Sequence, residues 1–115
     1  MSEESKKNDT YFEQEDYGRK IVRVEYEDIE DVYYVCPFVI ISLRTKKTIA
    51  FRDNLDNFEK KLPDYFFRIR KKVMVNLKLI KKYKPKSRKV ILRTTEYRVK
   101  RKKVEAFEAA LKLFR

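Results

Sequence analysis

The chain contains few of the residues that most catalytic and metal sites require. It has no histidine, one cysteine (Cys36) and one glycine (Gly18) among its 115 residues. Histidine is the commonest general base and metal ligand, and one cysteine without histidine cannot complete an ordinary zinc site. A single glycine cannot build a glycine-rich phosphate-binding loop. We therefore expect no enzymatic activity, no metal, no cofactor and no small-molecule substrate.

Disulfides and long apolar runs are also absent from the sequence. Cys36 has no second cysteine with which to pair, and a lone thiol fits a reducing compartment. No apolar run approaches the roughly 18 residues of a membrane helix, and no signal-peptide pattern opens the chain. These observations predict a cytoplasmic protein that has no membrane partner.

Positive charge is abundant and unevenly distributed. The 30 Lys and Arg residues outnumber the 18 Asp and Glu residues, which gives a net charge of +12. This excess favours a polyanionic partner, nucleic acid first and an anionic membrane second. Residues 1–31 carry eleven acidic and five basic side chains, so the basic charge belongs to the rest of the chain. We predict a flexible acidic and polar segment over residues 1–20, and one folded domain over 21–115. The alternative is that the aromatic residues of the segment, Tyr11, Phe12 and Tyr17, dock on the core or on a partner.

From Ile21 onward, short runs of branched and aromatic residues alternate with turn residues, which predicts a mostly β domain. The predicted strands are Ile21–Tyr26, Ile29–Val35, Phe38–Leu43, Thr48–Phe51, the two runs flanking Arg70–Lys72, and a closing hairpin of Val90–Arg93 and Tyr97–Val99.

Two helices are predicted, one internal and one at the C-terminus. Leu55, Phe58 and Leu62 lie on one face of a short helix that Asp53 or Asn54 caps. The longer C-terminal helix carries its own apolar face, formed by Val104, Phe107, Leu111 and Phe114.

Arg70, Lys71 and Lys72 are consecutive cations between two apolar strands, so they must face solvent or a polyanion. Arginine can pair with the O6 and N7 atoms of guanine, whereas lysine contacts phosphate as a point charge. Arg68 also points outward, where it could contact phosphate or pair with an acid such as Glu59.

A second basic segment, Lys100–Arg101–Lys102–Lys103, opens the C-terminal helix. Cations at a helix N-terminus oppose the helix dipole, and a bound phosphate backbone would explain why they are concentrated there. Two further groups of cations are either flanking phosphate contacts or solubilising residues. One group is Arg44, Lys46 and Lys47, and the other is Lys81, Lys82, Lys84, Lys86, Arg88 and Lys89.

In order and spacing, several pieces of the chain resemble the LytTR (LytR/AgrA-type) DNA-binding domain of bacterial transcriptional regulators. The resemblance covers about residues 21–114. The pieces that carry it are Asp28-Ile29, Phe38-Val39, the helix ending at Leu62-Pro63, the run from Phe67-Arg68-Ile69 to Val75-Asn76, and Val99 followed by Lys100–Lys103.

The resemblance implies small antiparallel sheets whose loops, rather than a recognition helix, enter the grooves of duplex DNA. It implies a sequence-specific transcriptional regulator that acts at direct repeats in promoters and forms a homodimer on DNA. From their charge and position, we predict that Arg68, Arg70, Lys71, Lys72 and the residues of the Lys100–Lys103 segment bind DNA. Residues 1–20 are too few for a receiver domain, so we expect none before this domain.

Two other functions remain open from the sequence. The chain has Arg70-Lys71-Lys72 where the family usually has His-Arg-Ser, so specific DNA reading could be lost in favour of a regulatory protein partner. An RNA-binding protein would instead stack unpaired bases on exposed aromatic residues of a sheet. The candidates for that role are Tyr33, Tyr34, Tyr83 and Tyr97.

Overall fold

The fold comes from a computed structural model in which residues 10–93 and 95–114 are described. These residues form ten strands and two α-helices, together with three short 3₁₀ turns. The strands are β1 (Tyr11–Glu15), β2 (Ile21–Glu25), β3 (Ile29–Val35), β4 (Phe38–Leu43), β5 (Thr48–Arg52), β6 (Phe66–Arg70), β7 (Val73–Asn76), β8 (Lys82–Lys84), β9 (Lys89–Ile91) and β10 (Glu96–Arg98). The helices are α1 (Leu55–Lys61) and α2 (Val104–Leu113), and the 3₁₀ turns are Tyr26–Asp28, Leu77–Leu79 and Arg101–Lys103.

A five-stranded antiparallel sheet in the order β5-β4-β3-β7-β6 lies at the centre of the molecule. Its strands β3 and β4 have the predicted bounds. Because successive side chains of a strand point to opposite faces, Met74 and Val75 of β7 enter two different apolar clusters. The sheet therefore separates two cores, and each core needs its own covering layer.

The first core is covered by α1 and by the hairpin of β1 and β2. Asn54 caps α1, its side chain accepting a hydrogen bond from the Asn57 backbone N–H at 2.9 Å. The helix then buries Phe58, whose ring lies 5.5 Å from that of Phe51 and 5.7 Å from that of Phe12. Aromatic packing thus joins the helix and hairpin to the sheet.

The N-terminal hairpin differs from the predicted flexible segment. Strand β1 pairs with β2 from Tyr11↔Glu25 to Glu15↔Ile21, and Phe12 is 8% exposed. Phe12 thus docks on the core, which was the alternative interpretation. Residues 1–9 lie outside the described residues, and the division of the chain at residue 20 stays a prediction.

The second core is covered by a three-stranded sheet, in the order β10-β9-β8, and by α2. Phe107 of α2 is fully buried, with its ring 5.6 Å from that of Phe67 and 5.0 Å from that of Tyr83. Strand β8, which carries Tyr83, was not among the predicted strands. The mostly β expectation, with small antiparallel sheets and two helices, is confirmed. Within the described residues, neither helix has the length and apolar character needed to cross a membrane.

Candidate nucleic-acid interface

A groove of about 890 Å³ lies beside the β6–β7 turn and the β9–β10 hairpin. It is lined by eight cationic side chains and one acidic side chain, together with Val73, Tyr97 and Val99. The cations are Arg70, Lys71, Lys72, Arg88, Lys89, Arg98, Lys100 and Arg101, and the acid is Glu96. Such a concentration of one sign of charge in a concave surface attracts a polyanion.

The β6–β7 turn projects the first predicted cluster into this groove. Arg70 ends β6, Lys71 and Lys72 form the turn, and all three side chains are exposed. The pairing of β6 with β7 shifts register between Arg68 and Arg70, and such an irregularity re-aims the side chains near it. The Tyr34 N–H donates to the Lys72 carbonyl at 3.0 Å, which ties the turn to β3.

The second predicted cluster lies against the same strand. The Lys100 N–H donates to the Ile69 carbonyl at 3.0 Å, and Lys103 Nζ donates to the Arg68 carbonyl at 2.9 Å. Burial lowers the pKa of the Lys103 amine, and the positive charge of Arg68 lowers it further. Two segments about thirty residues apart in sequence are thereby brought together.

Of the eight predicted site residues, five line the groove and three do not. The five that line it are Arg70, Lys71, Lys72, Lys100 and Arg101. Lys102 is exposed but is not among the groove-lining residues, whereas Arg68 and Lys103 are partly buried and bonded to the protein.

Arg68 extends toward α1 and makes four hydrogen bonds. Its Nη1 donates to Asp56 Oδ1 at 2.6 Å and to Glu59 Oε1 at 3.0 Å. Its Nε and Nη2 donate to the Lys71 carbonyl at 3.0 and 2.7 Å. Burial opposes the charged form, but the bonds to the two carboxylates prevail and raise the pKa of Arg68. The sequence left open whether Arg68 contacts phosphate or pairs with an acid such as Glu59, and the structure shows the pairing with Glu59.

The three-stranded sheet contributes Lys84 and Lys89, which the sequence left as either phosphate contacts or solubilising residues, and Arg98, which the sequence did not single out. Its register places Lys84 opposite Lys89 and Lys89 opposite Arg98, so one row across the sheet is entirely cationic. Lys89 and Arg98 of this row line the groove. The Arg88 guanidinium also lines the groove, and it donates to the Val99 carbonyl at 2.8 Å, which gives it a structural bond as well. Arg98 could have been found only from the register of β9 and β10.

Most of the tyrosines proposed to stack on RNA bases already contact other parts of the protein. Tyr83 donates its hydroxyl to Glu108 at 2.7 Å, and burial together with that bond raises its pKa to about 12. Tyr97 donates its hydroxyl to Asp31. Tyr34 packs against the first core, and Tyr33 is half-buried. No row of freely exposed rings is therefore found on a described sheet face.

Among residues 10–93 and 95–114, no group of three or more Cys, Asp or Glu side chains has the arrangement to hold a metal ion. Cys36 lies exposed in the β3–β4 turn beside Pro37.

The mostly β fold and the basic groove define a nucleic-acid-binding class of protein. The family model of the LytTr DNA-binding domain matches residues 19–112. The chain belongs to this family, whose domains bind DNA in transcriptional regulators and are typically non-catalytic.

A solved structure is similar over most of its length. It is a LytTr DNA-binding domain from Bacillus cereus, with a TM-score of 0.72 and 17% sequence identity. The similarity covers 90% of this chain and 98% of that domain. At this identity the likeness establishes a shared fold. The comparison with curated proteins finds no match.

Proposed function

We propose that the protein is a sequence-specific transcriptional regulator that binds duplex DNA through the basic groove. The observation that carries the proposal is the groove itself, because two separately predicted basic segments meet there with eight cations against one acid. This cationic lining matches the charge of a phosphate backbone.

Different residues are assigned different roles on the DNA. Arg70 reads a base edge, because its planar guanidinium can bond to two acceptors of one guanine at once. Lys71, Lys72, Lys100, Arg101 and Lys102 contact phosphates and set the register of the protein on the duplex. Arg68 and Lys103 stay predicted DNA-contact residues, although each already makes hydrogen bonds within the free protein.

The arrangement on DNA follows the family resemblance. Two copies would occupy paired direct repeats in a promoter and form a homodimer on the DNA. A head-to-tail arrangement of this kind is the one that direct repeats require.

The test is a binding selection from randomised duplex DNA at near-physiological salt. Wild-type protein should enrich paired half-sites, and Arg70→Ala/Lys71→Ala should lose that enrichment. Lys46→Ala/Lys47→Ala is a matched control, because it removes two exposed cations from the β4–β5 turn at the opposite end of the sheet. The control should enrich the wild-type motif. Salt-sensitive binding without a motif in the wild type would contradict sequence-specific reading.

Single substitutions separate base reading from phosphate contact. Arg70→Ala should weaken binding to the selected site by about 1–3 kcal/mol and relax specificity at one base position. Lys102→Ala should weaken binding to all sequences alike and reduce the dependence of log K on log salt by about 0.9. Titrations at several salt concentrations measure both effects. Equal losses on selected and random DNA for Arg70→Ala would overturn its role in reading.

A further inference from the structure

The side chain of Arg68 connects helix α1 to the turn that carries Arg70. Three of its nitrogens are used, with Asp56 and Glu59 on one side and the Lys71 carbonyl on the other. A planar guanidinium holds several acceptors in a fixed relative geometry, which the single ammonium of a lysine cannot do. The Arg68 side chain is 20% exposed, so the contact is partly shielded from water.

The β6–β7 turn needs such a restraint. Arg70, Lys71 and Lys72 are adjacent like charges that repel one another, and the register shift interrupts the ladder just before them. Beyond the irregularity, the pairing of Arg70 with Val73 is the one ladder position between the shift and the turn, so the ladder is weakened on the β6 side. The two hydrogen bonds from Arg68 to the Lys71 carbonyl supply a restraint at that point.

Arg68 also contacts the second basic segment. Its backbone carbonyl accepts the hydrogen bond from Lys103 Nζ. One residue thus bonds to the turn through its side chain and to the Lys100–Lys103 segment through its backbone. Any movement of Arg68 would be transmitted to both proposed DNA-contact segments.

We propose that Asp56 and Glu59 are specificity-determining positioning residues, which act through Arg68 to hold the β6–β7 turn in its DNA-reading conformation. This inference rests on the proposed function. It assigns a role in DNA recognition to two acids, whose own charge repels phosphate.

The sign of that charge makes the inference testable. If Asp56 and Glu59 acted only by electrostatics, Asp56→Asn/Glu59→Gln would remove two negative charges and tighten binding to every duplex. Positioning predicts the opposite for the selected site. We expect about tenfold weaker binding to the selected site and unchanged or tighter binding to a scrambled duplex at the same salt. The quantity to measure is therefore the dissociation constant for the scrambled duplex divided by the dissociation constant for the selected site. This ratio should fall in Asp56→Asn/Glu59→Gln.

Two further variants complete the experiment. Asp64→Asn/Glu105→Gln removes two exposed acids that lie elsewhere and should leave the ratio unchanged. Arg68→Lys preserves the positive charge but removes the planar guanidinium that holds several acceptors at once. Its ratio should therefore fall as in Asp56→Asn/Glu59→Gln. Ion pairs of exposed carboxylates contribute little to stability, so the acid variants should remain folded with a similar melting temperature.

Failure of the inference can be distinguished from failure of the proposed function. If the wild type does not discriminate the selected site from the scrambled duplex, the proposed function fails and the inference fails with it. If the wild type discriminates and Asp56→Asn/Glu59→Gln tightens both duplexes equally, the inference alone is overturned. A second readout without DNA is the backbone order of the Lys71 and Lys72 amides by NMR relaxation. That order should fall in the variant, and unchanged order would also overturn the inference.

Discussion

Asn76 joins two neighbouring strands through its side chain rather than through the ladder. Its Nδ2 donates to the Ile29 carbonyl at 2.9 Å, and its Oδ1 accepts from the Lys78 N–H at 2.9 Å. The side chain is 1% exposed, so water cannot replace either bond. Asn76 therefore satisfies a backbone carbonyl of β3 and a backbone N–H of the following 3₁₀ turn at the same time.

Replacing Asn76 with Ala should therefore destabilise the protein. The change leaves a buried carbonyl and a partly buried N–H without their partners, which costs about 1–3 kcal/mol for a group left unsatisfied. Urea unfolding of the variant and the wild type measures the difference. Leu79→Ala, which removes a half-buried side chain from the same 3₁₀ turn, serves as a control for loss of packing alone. Wild-type stability in Asn76→Ala would contradict the importance of these two bonds.

At the scale of elements, the three-stranded sheet combines an apolar inner row with a cationic outer row. Tyr83, Val90 and Tyr97 face the second core, while Lys84, Lys89 and Arg98 form the row of like charge. Like charges directly opposite on neighbouring strands destabilise a sheet. The ion pair of Lys89 with Glu96, at 3.7 Å, offsets this only in part. The row should therefore cost stability, and phosphate contact by the same residues, as in the proposed function, would give it a role.

Lys84→Gln/Arg98→Gln tests this explanation. Binding should weaken equally on selected and random duplexes, and the slope of log K against log salt should fall by about 0.9 for each lost contact. The melting temperature should stay the same or rise, because repulsion within the row is relieved. Lys60→Gln/Lys112→Gln removes two exposed cations from the helices and should leave the slope unchanged. A slope equal to that of the wild type in Lys84→Gln/Arg98→Gln would show that the row does not contact DNA.

At the scale of the whole molecule, a buried carboxylate joins the five-stranded sheet to the three-stranded sheet. Asp31 of β3 is 1% exposed and accepts a hydrogen bond from the Tyr97 hydroxyl of β10 through Oδ2. Its Oδ1 has no partner in hydrogen-bond geometry within the described residues. Burial raises the pKa of Asp31, and the hydroxyls of Tyr97 and Ser42 oppose the rise.

The raised pKa determines the sign of a pH dependence. A carboxyl group whose pKa is higher in the folded than in the unfolded state destabilises the protein increasingly as pH rises from 3.8 through the folded pKa. Asp31→Asn removes that charge and retains an oxygen acceptor for Tyr97. The melting temperature of the variant relative to the wild type should therefore increase from pH 4 to pH 8. Neighbouring Glu30 also has a raised pKa, caused chiefly by burial, and it remains in both proteins. A difference that is constant across this range would contradict the assignment to Asp31.

Local patterns in the sequence were sufficient to predict the positions of most strands and of both helices. Alternation of apolar residues placed β3 and β4, and the Asn54 cap and apolar spacing placed α1, because these signals depend on neighbours along the chain. The motif resemblance also identified the family. Strand β1 was missed because its last three residues, Glu13, Gln14 and Glu15, are all polar, so the segment shows no apolar alternation. Strand β8 was missed because three residues carry too little pattern.

Tertiary packing established the groove and the partners of its residues. The lining combines residues 70–73, 88–89 and 96–101, which meet only after α2 and the small sheet have packed on the second core. The direction of the Arg68 side chain depended instead on the packing of α1 on the first core, because an outward position on a strand does not reveal which acids lie beside it. Composition fixes the amount of positive charge, whereas the contacts between distant segments decide where that charge is concentrated.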